Sequence, residues 1–208
     1  MIIARLKENI NGPNFALNTV MKRNGTKFLI SIFILFSLGL VNLSFTSERQ
    51  DRAYIDKDYF SRLVFDEVNK ARKTKGVGEL TWDNTCAKTA LAQAKYCAEL
   101  GKLTHNQTDP EMKSVKDRYE HFDGDAQTVG ENLLTLGIRI PNYSEGDSMT
   151  DRVKRRYENA AKFMVKLWLQ SPPHKKNLLH SAYTEAGIGM VYTNKFEVYV
   201  GQVFIEPR

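Results

Sequence analysis

Cysteine is nearly absent from this 208-residue chain: Cys86 and Cys97 are the only two. Both fall in "DNTCAKTALAQAKYCAELGKL", which reads as one helix. At about 1.5 Å of rise per residue they stand about 16 Å apart. A disulfide needs Cα atoms within about 7 Å. The spacing predicts two buried thiols, excludes a disulfide scaffold and leaves stability to core burial. Long apolar runs are missing too. The apolar core Phe28–Val41 is only 14 residues long, short of the roughly 20 that span a bilayer and suited to a signal-peptide core. Lys22, Arg23 and Lys27 supply a positive flank before it, and Met21 would open an ordinary signal peptide. Residues 1–47 are therefore expected to be an N-terminal extension with a signal peptide or signal anchor. Residues 48–57 form a polar linker and 58–208 the working domain, outside the cytoplasm: secreted, periplasmic or anchored to the envelope.

Strong net charge is lacking once this segment is set aside. Arg5, Lys7, Lys22, Arg23 and Lys27 against Glu8 give residues 1–47 a net of +4, so the body carries only +2 of the total +6. That balance argues against nucleic acid, whose binding needs many phosphate-neutralising cations. Charge is nonetheless polarised. Residues 151–176 hold Arg152, Lys154, Arg155, Arg156, Lys162, Lys166, Lys175 and Lys176 against Asp151 and Glu158, a net of +6. This is either a solvated helix face or a contact for anionic lipid headgroups or an acidic envelope polymer.

Catalytic signatures are absent as well. There is no H-E-x-x-H, G-x-S-x-G, P-loop or C-x-x-C, and no internal repeat. What is present is periodicity. Phe60, Leu63, Val64, Val68 and Ala71 recur at helical spacing. Asp83 can cap a second helix whose face of Ala87, Ala90, Leu91, Ala94 and Ala98 permits close approach, with Gly101 at its end. Asp109-Pro110 predicts a third, short helix. After a polar loop at 138–150, a fourth helix is expected from about Ser148 to Gln170, burying Val153, Tyr157, Ala160, Met164 and Trp168. Two β-like runs, 186–192 and 196–205, surround a turn at Thr193-Asn194-Lys195 and predict a hairpin. Four helices and a terminal hairpin point to an α+β layered fold.

Only four histidines occur: His105, His121, His174 and His180. His174 follows the double proline of "WLQSPPHKKNLL", which is expected to stop the fourth helix. Taken singly, each histidine reads more readily as structural or exposed than as catalytic.

Several stretches together resemble the CAP superfamily, which includes cysteine-rich secretory proteins, antigen five and pathogenesis-related proteins. They are "LTWDNTCAKTALAQAKYCAE", "LTHN", "KDRYEHF", "VGENLL", "WLQSPPHKKNLL", "YTEAGIGMVY" and "YVGQVF", in that order from about residue 60 to 206. "SPPHKKNLL" and the missing disulfides resemble the bacterial members. The resemblance implies an α-β-α sandwich with an antiparallel sheet between helices and a cleft lined by two histidines and two acidic residues. His105, Glu131 and His174 match three of these positions. At the fourth stand Gln170 and Ser171; Glu185 is the nearest acid but does not match the motif.

Two imidazoles and a carboxylate are suitable zinc ligands, with a position left for water. Weak zinc binding is expected at His105, His174 and Glu131. A non-enzymatic cleft for a lipid, sterol-like or peptide ligand is the favoured expectation. A metal-dependent hydrolase or protease, and an envelope surface interaction protein with a vestigial site, are the alternatives. No nucleophile is marked.

Overall fold

The structure is a computed structural model that describes residues 56–138 and 151–208. The expected signal segment, most of the linker and nearly all of the 138–150 loop lie outside the described residues.

Helix α1 (Lys57–Thr74) starts at Asp56, whose side chain accepts from the backbone N–H of Tyr59. It buries Phe60, Val64, Phe65 and Val68. Strand β1 (Thr81–Trp82) leads to α2 (Asn84–Leu100), capped by Asp83 and closed by Gly101 at φ 66°, the left-handed conformation that glycine adopts freely. Asp109 and Pro110 open only a single 3₁₀ turn, Pro110–Met112. The regular helix, α3 (Val115–His121), begins after it with a Ser114–Asp117 capping box. Strand β2 (Ala126–Gly137) follows. Helix α4 (Asp151–Gln170) buries Val153, Tyr157, Ala161, Met164, Val165 and Trp168. The hairpin is β3 (Glu185–Tyr192) and β4 (Glu197–Pro207). Its turn places Phe196, rather than Asn194 or Lys195, at positive φ (59°).

The double proline does more than stop α4. Ser171 is the N-cap of a further helix, α5 (Pro172–Leu178), and the prolines fill its first positions. Those positions need no N–H donor and suit the fixed φ of proline. His174 therefore sits in the first turn of a helix, not in a loop beyond one.

The strand order is β1-β3-β4-β2. β2, β3 and β4 are antiparallel, and β1 adds two residues parallel to β3. Alternation along the strands divides the interior in two. Ala186, Ile188, Met190, Val198, Val200 and Phe204 face α1 and α4. Val203 and Ile205 meet Cys86, Ala90 and Tyr119 of the α2–α3 layer. The α-β-α sandwich expected from the resemblance is present. Its α2 side is tight: a Cβ at Gly187 or Gly189 would strike the backbone of Ala87 or Leu91, and one at Gly201 would lie 2.8 Å from the Ala90 carbonyl. The small-residue face of α2 is there to reach the sheet. Cys86 and Cys97 are free and buried on it. Burial pushes both thiols up and keeps them protonated.

Candidate functional site

Among the described residues β2 has one neighbouring strand, β4, and is an edge strand. The site is built astride that edge. Glu131 points into the α2–α3 layer, and the next residue, Asn132, points toward α5, as strand alternation requires.

On the first side, "LTHN" leaves α2 and is pinned at Thr104. The Thr104 carbonyl accepts from Gln93 Nε2 at 2.5 Å and from the Cys97 thiol at 3.4 Å. Gln93 is itself fully buried. The pinning turns His105 toward β2, where its Nδ1 lies 2.8 Å from Glu131 Oε2. The other carboxylate oxygen, Oε1, accepts from Arg118 Nη2 at 2.7 Å. The Arg118 and Glu131 side chains are 0% and 2% exposed, so the ion pair is dry, whereas the His105 side chain is 58% exposed. Arg118 Nη1 also donates to the carbonyls of His105, Met112 and Lys113. A carboxylate accepts and does not donate, so Nδ1 of His105 carries the proton. Its Nε2 is the nitrogen left for a ligand.

On the second side, Asn132 Nδ2 donates to the His174 carbonyl at 3.1 Å. Asn177 Nδ2 donates to the Glu131 carbonyl at 3.0 Å and to Asn132 Oδ1 at 3.1 Å. The two asparagines thus clamp α5 onto the edge strand and cover part of its polar backbone. His174 is half-buried. Burial holds it below the ordinary histidine pKa of 6.5, and the nearby His105 imidazole adds to that effect.

The protein therefore resists protonating His174. The unfolded chain takes up that proton at a higher pH than the folded one, so this contribution to stability is intact above about pH 6.5 and is lost as pH falls below it. The thermal midpoint is expected to drop between pH 7 and pH 5 by more in wild type than in His174→Gln. Equal drops would show that the imidazole is freely solvated.

His105, Glu131 and His174 are brought to one place, but not as three open ligands. Both Glu131 oxygens are engaged. Among the described residues, no three His, Cys, Asp or Glu side chains gather into a metal-holding group. The donors left open are the two imidazoles, with Glu131 behind His105 fixing its tautomer and orientation. Gln170 and Ser171 close α4 and open α5 without an acid. Glu185, paired with Ile205 at the β1 end of β3, acts on Cys86 and Tyr119 and lies apart from the site. His121 sits 3.7 Å from Glu111, and the His180 ring lies tilted against that of Tyr183 at 4.7 Å between centroids.

Sequence patterning missed Arg118, Asn132 and Asn177. All three lie inside the quoted stretches, but nothing in their spacing marks Arg118 and Asn132 as buried or Asn177 as the clamp on Asn132.

The CAP family, described as the cysteine-rich secretory protein family, matches residues 65–204. An uncharacterized membrane protein of Bacillus subtilis, YlbC, is 29% identical over 138 residues, which are 65% of this chain and 33% of that protein. A second Bacillus subtilis protein, uncharacterized YkwD, is 25% identical over 132 residues, 64% of this chain and 42% of its own length. The chain thus matches well under half the length of either relative. Two solved structures share the fold. One is an extracellular protein with an SCP domain from Bacillus anthracis, with TM-score 0.54 and 24% identity over 72% of this chain and 41% of that one. The other is an outer surface protein of Borrelia burgdorferi, with TM-score 0.57 and 20% identity over 75% of this chain and 99% of that one.

Proposed function

This chain belongs to the cysteine-rich secretory protein (CAP) family, and from that premise we propose that it is an extracytoplasmic binding module, not an enzyme, with its site at the β2 edge. The observation that carries this reading is the state of Glu131. A general base or metal-bound-water activator needs a carboxylate oxygen free to take a proton. Glu131 has one oxygen committed to a buried guanidinium and the other to His105. That arrangement supports a rigid, shaped recognition surface more than a hydrolytic centre. The ligand is a lipid, a sterol-like molecule or a peptide. Export is supported by the basic flank and short apolar core of residues 22–41, and by the two structural relatives, one an extracellular protein and the other an outer surface protein. Mass spectrometry of extracts from protein purified out of its native envelope tests the reading. A co-purified ligand displaced by His174→Trp supports it, and ester or peptide turnover abolished by Glu131→Gln overturns it.

A divalent metal such as zinc would be held by the two imidazoles, His105 through Nε2, and would supply Lewis acidity or cross-link the two sides of the cleft. Two protein ligands predict weak affinity. Calorimetry with zinc is expected to show loss of most binding in His105→Ala and in His174→Ala. Glu131→Gln should weaken it about 10-fold, through the orientation of His105. His121→Ala should change nothing, and affinity should fall as pH drops through the histidine range. Equal binding by wild type and His174→Ala would remove the metal from this reading.

A further inference from the structure

The outward face of α4 carries a pattern that the cleft does not use. Arg152, Arg155, Arg156, Asn159, Lys162, Phe163, Lys166 and Gln170 succeed one another mainly at steps of three and four residues, so they form one stripe along the helix. All are exposed. The buried residues Val153, Tyr157, Ala161, Met164 and Trp168 occupy the opposite side. A helix of this length runs about 30 Å. Five of the stripe's residues are cationic, and among the described residues no acid shares it; Asp151 and Glu158 lie on its flank. None of the five is in an ion pair with a described residue. α5 extends the charge with exposed Lys175 and Lys176.

Phe163 sets this face apart from an ordinary solvated helix. It is 45% exposed, one of three large apolar side chains that stand out among the described residues, and in sequence it sits between Lys162 and Lys166. Along the Lys162–Lys166 edge of the stripe, between α1 and α4, is a recess of about 340 Å³. Its less exposed lining includes Ala71, Val165 and Leu169, and exposed Lys75, Lys162 and Lys166 stand around them. The acid there, Glu67, is paired with Lys70 at 2.7 Å.

We infer that the α4 face docks flat on an anionic lipid bilayer, independently of the cleft. Cations along the stripe meet the headgroup charge, Phe163 enters the boundary between headgroups and acyl chains, and the recess takes a phosphate-bearing headgroup. A soluble acidic polymer would also answer the cations. It would gain nothing from an aromatic ring presented at the centre of the stripe, and for that reason the bilayer is the occupant the surface fits.

Vesicle co-sedimentation of the full chain tests the inference, with phosphatidylcholine alone or mixed with phosphatidylglycerol. Every variant keeps the same 1–47 segment, so differences between variants report the domain. Lys162→Glu/Lys166→Glu is expected to weaken binding to the anionic vesicles at least tenfold and to change binding to the neutral ones little. Phe163→Ser should weaken anionic binding several-fold, and added salt should weaken wild type more than the double variant. Lys88→Glu/Lys95→Glu makes the same change of net charge on exposed positions of α2, in the opposite layer, and is expected to bind like wild type. Equal losses in the two double variants would overturn the inference, because only net charge would then matter. So would vesicle binding that ignores Phe163→Ser while soluble poly(glycerol phosphate) binding is abolished by Lys162→Glu/Lys166→Glu; that result would assign the face to a polymer.

Discussion

Arg118→Ala is expected to cost about 3–5 kcal/mol of folding stability, the range for removing one partner of a buried ion pair. Both side chains are out of water, at 0% and 2% exposure, so the loss leaves the Glu131 carboxylate desolvated and half-compensated. Nη1 adds three carbonyl partners in the 105–113 segment, so the alanine variant also releases the loop that presents His105. Urea unfolding measures the first effect. The histidine ring resonance of His105, shifted and broadened, measures the second. Arg118→Lys keeps the charge but loses the fork that reaches Glu131 and the carbonyls together, and should lie between. Arg118→Met combined with Glu131→Leu removes both charges and should recover part of the loss, although orphaned carbonyls remain. A cost below about 1 kcal/mol for Arg118→Ala would mean that water reaches Glu131, and with it the ground for treating that carboxylate as locked.

Arg118 also shows where patterning stops being informative. An arginine in a short polar helix has the signature of a solvated side chain, and only the fold reveals that Tyr119 and Arg118 are buried together. The layers were legible because their signals are local. Phe60, Val64 and Val68 keep step with a helix, the alanines of α2 announce close approach, and "AGIGMVY" and "EVYVGQVF" read as strands. β2 was not legible. It is an edge strand with helices packed against it, so Gly130, Glu131, Asn132 and Leu133 are buried in succession, and no apolar-polar alternation survives. The double proline was legible only in part. Proline lacks a donor, which ends α4 and equally suits the first positions of α5, and the sequence does not say which use prevails. The three matched site residues came from order and resemblance, not from periodicity. The resemblance implied that they face one cleft; that the cleft lies at the β2 edge, and that Arg118 occupies the second Glu131 oxygen, it did not imply.

Arg72→Met is expected to be as damaging, at about 3–5 kcal/mol, and to act on α5. The apolar stripe of α1 steps 60, 64, 68, and its next step is Arg72, only 1% exposed. Among the described residues it has no carboxylate partner. Nε donates to the Gly78 carbonyl at 2.7 Å, Nη1 to those of Leu178 and His180 at 2.9 and 3.1 Å, and Nη2 to that of Tyr183 at 2.9 Å. Burial lowers its pKa, yet an arginine stays charged. A buried cation is therefore held by carbonyl dipoles alone. Two of them lie at the C-terminal end of α5, where a positive charge is favoured by the helix dipole. Methionine fills much of the stem's volume, so the change tests the hydrogen bonds more than the cavity. It leaves four acceptors without a donor, each costing roughly 1–3 kcal/mol if it cannot reach water; relaxation of the 178–183 segment keeps the sum below that ceiling. The local readout separates this from generic destabilisation. Amides of α5 should lose hydrogen-exchange protection beyond the global loss, while those of β3 and β4 follow the global change. With α5 loosened, the first turn that carries His174 is no longer held against Asn132, and zinc binding should weaken in step. Unchanged α5 protection in a destabilised Arg72→Met would show that the Asn132–Asn177 clamp alone is enough to seat the helix.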